Sequence, residues 1–95
     1  MLSKKVILRT PPGLDVDPAI ILAHAAEKCS SVVEIHYKNH LINAKSLLNI
    51  LSVAIPSGAR IRLTCTGPKE EEDLKRMIQT MERLGACTDD DEPDD

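Results

Sequence analysis

Apolar and polar residues alternate over 4–10, with Val6 and Leu8 on one face and Lys5, Ile7 and Arg9 on the other, until Pro11-Pro12-Gly13 stops the pattern. A period of two marks a half-buried strand. From Pro18 the period lengthens: Ala19, Leu22, Ala23 and Ala26 recur at three- and four-residue steps, while His24, Glu27 and Lys28 fall off the stripe. That spacing predicts a helix over 18–28. Asp17 directly before Pro18 reads as its N-cap, with proline in the first helical position. Ile20 and Ile21 widen the apolar surface beyond what one buried stripe needs. Alternation returns after Ser30-Ser31, where Val33, Ile35 and Tyr37 oppose Val32, Glu34 and His36. Lys38-Asn39 then supplies a hairpin turn, with Asn39 expected in the left-handed conformation, and 40–44 is the short return strand at an edge.

Residues 45–51 are too apolar for a loop and predict a short helix with Ser46 as its N-cap or first-turn residue. Leu47, Leu48 and Leu51 cannot all share the side of Ile50, so apolar surface is expected to remain outside. Pro56-Ser57-Gly58 turns the chain into a fourth strand, where Ala59, Ile61, Leu63 and Cys65 alternate with Arg60, Arg62, Thr64 and Thr66. Gly67-Pro68 breaks it. Over 69–84, Leu74, Met77, Ile78, Met81 and Leu84 fall at helical spacing, Glu70, Glu71, Glu72 and Asp73 favour the positive end of the dipole, and Gly85 stands at the stop position. The order β-α-β-β-α-β-α predicts an α+β fold. Its four-stranded antiparallel sheet would be covered on one face by helices, because both longer helices must bury the same apolar face. No repeat or second domain is evident, so the folded unit is expected over 1–86.

Composition changes this picture in three places. Tyr37 is the only aromatic residue, so the core is aliphatic and there is little to stack on bases, which argues against a direct nucleic-acid reader. Six of the last seven residues are acidic; without them the net charge of -3 becomes +3, too mild to argue for DNA or an anionic membrane. Residues 87–95 are accordingly expected to be a disordered acidic tail. Cys29, Cys65 and Cys87 form no metal-ligand spacing, and Cys29 and Cys65 read as buried, unreactive thiols. Free thiols, no signal-like start and no long apolar run predict a cytoplasmic chain that is not membrane-bound, and no cofactor is expected.

Candidate chemistry gathers where the first strand hands over to the first helix, in Gly13-Leu14-Asp15-Val16-Asp17-Pro18-Ala19, and at Ser46. Two carboxylates at a helix start either cap it or mark a site. A serine at a helix start is a cap, and it is also a place where a phosphate would meet free N–H groups and the positive dipole end, with Lys45 adjacent.

On these residues the chain resembles the HPr family, the small phosphocarriers of the bacterial sugar phosphotransferase system, and within it the catabolite-repression HPr-like proteins that lack the phosphocarrier histidine. The likeness runs from 6 to 84. It rests on Pro11, Gly13-Leu14, Pro18-Ala19, the hairpin ending in Asn43-Ala44-Lys45-Ser46, residues 47–55, Gly58 and a last helix of the expected length. The resemblance implies an open-faced β-sandwich. It also implies that Asp15 occupies the phosphohistidine position, that Asp17 occupies that of a supporting arginine, and that Ala54 stands where many relatives carry glycine. It implies no enzymatic activity, regulatory phosphorylation at Ser46 by an HPr kinase/phosphorylase, and a protein partner such as that kinase, a LacI-type regulator or a metabolic enzyme. The partner surface would comprise Asp15, Asp17, Ile20, His24, Leu47, Leu48 and Leu51, on a monomer or weak dimer. One alternative is a phosphocarrier that accepts phosphate on Asp15, with Asp17 repelling the dianion. The other is that both carboxylates imitate phosphohistidine permanently.

Overall fold

The computed structural model describes residues 1–9 and 13–88. Strands β1 (Leu2–Ile7), β2 (Val32–Tyr37), β3 (His40–Asn43), β4 (Arg60–Thr66) and β5 (Cys87–Thr88) are joined by helices α1 (Val16–Glu27), α2 (Leu47–Val53) and α3 (Glu70–Arg83). The strands form one sheet in the order β3-β2-β4-β1-β5. All four pairings are antiparallel, with Val6 opposite Ile61 and Ile35 opposite both Leu63 and Ile42.

Alternation decides which face the helices cover. Val6, Val33, Ile35, Ile42, Ile61, Leu63 and Cys65 point inward and are buried, whereas Arg60, Arg62 and His36 lie exposed on the other face. The helices contribute Ala19, Leu22, Ala23 and Ala26 from α1, Ile50 from α2, and Met77 and Met81 from α3 to the same aliphatic core. This is the α+β, helix-on-one-face arrangement that the element order predicts.

The strand count differs from expectation. Cys87 and Thr88, predicted to begin the tail, pair with Ile7 and Val6, so among the described residues the sheet has five strands rather than four. The chain reaches β5 because Gly85, at φ 94°, turns it out of α3 while the Ala86 N–H donates back to the Met81 carbonyl at 2.9 Å. The remaining residues of the expected tail, 89–95, lie outside the described residues.

Helix α1 begins two residues earlier than predicted. Asp15, not Asp17, is its N-cap; Asp17 sits in the first turn and Pro18 at the third helical position. Proline is tolerated there because the first four N–H groups of a helix have no intrahelical acceptor. In the β2–β3 hairpin the positive φ of 52° falls on Lys38 rather than on Asn39. Asp73, read as one of four dipole-favouring acids, is buried: its carboxylate accepts hydrogen bonds from the Ser31 N–H at 2.9 Å and the Ser31 hydroxyl at 2.5 Å. Those bonds pin the first turn of α3 to the loop between α1 and β2. They hold the Asp73 carboxyl below its ordinary range, against the desolvation that would raise it.

Candidate functional site

Glycine fixes the loop before α1. Gly13 has φ 128° and bridges Pro56, and a Cβ there would collide with the Ile55 carbonyl oxygen and come 2.8 Å from the Pro56 Cα. Only glycine allows that approach. The Leu14 N–H then donates to the Ile55 carbonyl at 2.9 Å, so the entry to α1 is held against the segment that leaves α2. Asp15, exposed, turns its carboxylate back on the helix: Oδ1 accepts the Val16 N–H at 2.8 Å, and its carbonyl accepts the Ala19 N–H at 2.9 Å. The oxygen at the predicted phosphoryl position is thus engaged in capping. Asp17 is exposed in the first turn, where its charge suits the dipole.

Ser46 is the N-cap of α2. Its backbone is extended, and its Oγ accepts the Asn49 N–H at 3.2 Å. Two residues that sequence reasoning passed over brace it. The Asn49 Oδ1 accepts from the Asn43 N–H at 2.8 Å, and the Asn43 Oδ1 accepts from the Lys45 N–H at 3.0 Å. A polar residue three positions after a capping serine was the available signal. Lys45 does not serve Ser46, because its Nζ donates to the Cys29 carbonyl at 3.0 Å, just beyond the end of α1.

Seven residues of helix separate the two features. Asp15 lies by the exit of α2 and Ser46 at its start, about 10 Å of helix apart, so Ser46 and the two carboxylates are distinct centres. Between them α2 presents an apolar face. Ile50 is fully buried, Leu47 and Leu51 are half-buried, and Leu48 is 82% exposed. On α1, Ile20 is 41% and Ile21 49% exposed. Ile20 and His24 also line a groove of about 400 Å³ between α1 and α3, whose other wall includes Arg76, Thr80 and Arg83.

Among the described residues no cluster of three or more His, Cys, Asp or Glu side chains is arranged to hold a metal, and no helix is long and apolar enough to cross a membrane. Cys29 and Cys65 are buried as expected, and burial pushes the Cys65 thiol up to about 11. Cys87 is partly exposed, with its Sγ 3.2 Å from the Arg9 Nε.

The comparisons with known proteins agree with one another. The family model for the PTS HPr component phosphorylation site matches residues 2–83. The HPr-like protein Crh of Halalkalibacterium halodurans is 31% identical over 83 residues, which are 87% of this chain and 99% of that protein. Among solved structures, an HPr from Thermoanaerobacter tengcongensis superposes with a TM-score of 0.84 at 28% identity, over 88% of this chain and 94% of the other. Crystalline Crh of Bacillus subtilis, described as a domain-swapped, intertwined dimer, superposes with a TM-score of 0.69 at 27% identity, over 88% of this chain and 97% of the other.

Proposed function

Since this chain belongs to the HPr family, as an HPr-like member of Crh-like character, we propose that it is a cytoplasmic regulatory protein of carbon catabolite control that works by binding rather than by turnover. Its partner docks on Ile20, Leu47, Leu48 and Leu51, with Asp15, Asp17 and His24 at the rim, and phosphorylation of Ser46 switches the docking. The observation that carries this reading is the placement of Ser46. It is the cap of the helix that bears the most exposed leucine, so a phosphate there would add charge at the border of an apolar face.

The phosphate would gain the unpaired N–H groups and dipole of α2. It would displace the Ser46–Asn49 bond without drawing on Lys45, which is held by Cys29. A carrier role for Asp15 is the weaker alternative. Its carboxylate already closes α1, and phosphorylation there would remove a cap as well as crowd Asp17.

The switch is tested by incubating the protein with an HPr kinase/phosphorylase and ATP. The expected result is the mass of one added phosphate, absent from a Ser46→Ala variant. An unmodified protein, or a modified Ser46→Ala variant, would refute it. Docking is tested separately with Leu48→Ala, which removes exposed apolar surface without touching the core. Binding to a candidate regulator should weaken at least tenfold while the folded CD spectrum is kept, and unchanged binding would reject this surface. The structure of Bacillus subtilis Crh adds support to a monomer–dimer equilibrium, which size-exclusion chromatography across a concentration series reads directly.

A further inference from the structure

The groove between α1 and α3 has a charge pattern that the Ser46 face does not use. One wall carries Ile20, Ile21, His24 and Lys28, and the other Arg76 and Arg83, with no acidic side chain in the lining. Among the described residues, none of Lys28, Arg76 and Arg83 has an ion-pair partner. The lining thus carries cations and no carboxylate, a sign that favours an anionic guest. Ile20 and Ile21 hold apolar surface beside the cations.

We propose that this groove docks an acidic amphipathic helix of a partner protein. Charge complementarity selects the sign of the partner, and the isoleucines require apolar side chains on it. The chain's own last seven residues supply the acids but offer Ile20 and Ile21 a single apolar side chain, that of Pro93. A nucleic acid would find no aromatic residue in the lining to stack on. Both walls are helices and present no strand edge, so the occupant packs as a third helix rather than adding as a strand. The cationic wall from Arg76 to Arg83 covers about 10 Å, which is about two turns of a guest helix.

Ile20 and His24 border both surfaces, so the test rests on the arginines of α3 and on Leu48, each of which belongs to one surface alone. The probe is a blocked 15-residue peptide with leucine at the a and d positions of each heptad and glutamate elsewhere. Its counterpart carries lysine for every glutamate. Titrated into the full-length ¹⁵N-labelled protein, the glutamate peptide is expected to shift amides of α1 and α3, and to bind at least tenfold more tightly than the lysine peptide. The paired substitutions Arg76→Glu and Arg83→Glu should remove at least tenfold in affinity with the amide spectrum otherwise preserved, whereas Leu48→Ala should change nothing. Equal binding of the two peptides, shifts confined to α2, sensitivity to Leu48→Ala instead of the arginines, or no binding at all would each overturn the proposal.

Discussion

Ala54 ends α2 in the left-handed region, at φ 54° and ψ 59°. A Cβ in that region crowds the next carbonyl at about 1–2 kcal/mol, a cost that glycine escapes while giving back part of the gain as unfolded-state freedom. Ala54→Gly is therefore expected to stabilise the fold by about 1 kcal/mol, read as a higher urea midpoint at unchanged m-value. A lower midpoint would mean the position carries no strain. Asp73 is the opposite case, a residue whose removal leaves a buried donor stranded. Asp73→Ala should cost about 2–3 kcal/mol, since the Ser31 N–H and hydroxyl lose a charged acceptor. The pH dependence has a definite sign. With its carboxyl held below the ordinary value near about 3.9, the unfolded chain takes up that proton first as the pH falls. The contribution of Asp73 is intact above about pH 5 and is lost as the pH drops through 4 toward the folded value. Urea titrations at pH 3 and pH 7 should show a shallower loss for Asp73→Asn than for the parent, and an identical loss would refute the assignment.

At the scale of elements, the junction of Gly13 with Ile55 and Pro56 couples two helices that are far apart in sequence. Gly13→Ala must either open that junction or push the Ile55 carbonyl aside, at about 2–3 kcal/mol by analogy with overpacking. In a heteronuclear spectrum the change should move the amides of both α1 and the α2 exit. Perturbation restricted to residues 13–15 would show the two helices to be independent. The elements themselves were largely legible in sequence, because β2, β4 and α3 have strong periods and one buried face each. The start of α1 was not. Asp15 and Asp17 are equally good caps by type, and Pro18 suits the third helical position as well as the first. Nor was β5, whose two residues have no period and gain strand character only from the edge of β1. At the candidate site, the capping role of Ser46 and the exposed leucine followed from local pattern. The engagement of Lys45 with Cys29 and the arginines facing α1 did not, because partners 16 or some 50 positions apart meet only through packing.

For the molecule as a whole, the three thiols report on how it opens. Cys29 and Cys65 are buried under the helices with thiols raised by desolvation first, whereas Cys87 sits partly exposed on an edge strand. Iodoacetamide at pH 7.5 should therefore add one label, at Cys87, to the native protein and three in urea, because the thiolate is the reacting form. Early labelling of Cys65 would show that the sheet opens without global unfolding. The carboxylate of Asp15 bears on how readily this fold could be re-engineered. Asp15→His would place an imidazole where the family resemblance implies the phosphohistidine and at the same stroke remove the oxygen that closes α1, a loss of about 1 kcal/mol. Converting the chain into a phosphate carrier thus sets chemistry against folding at a single side chain. A designer would do best to pair the histidine with Ala54→Gly, which returns a similar amount of stability from the neighbouring end of α2.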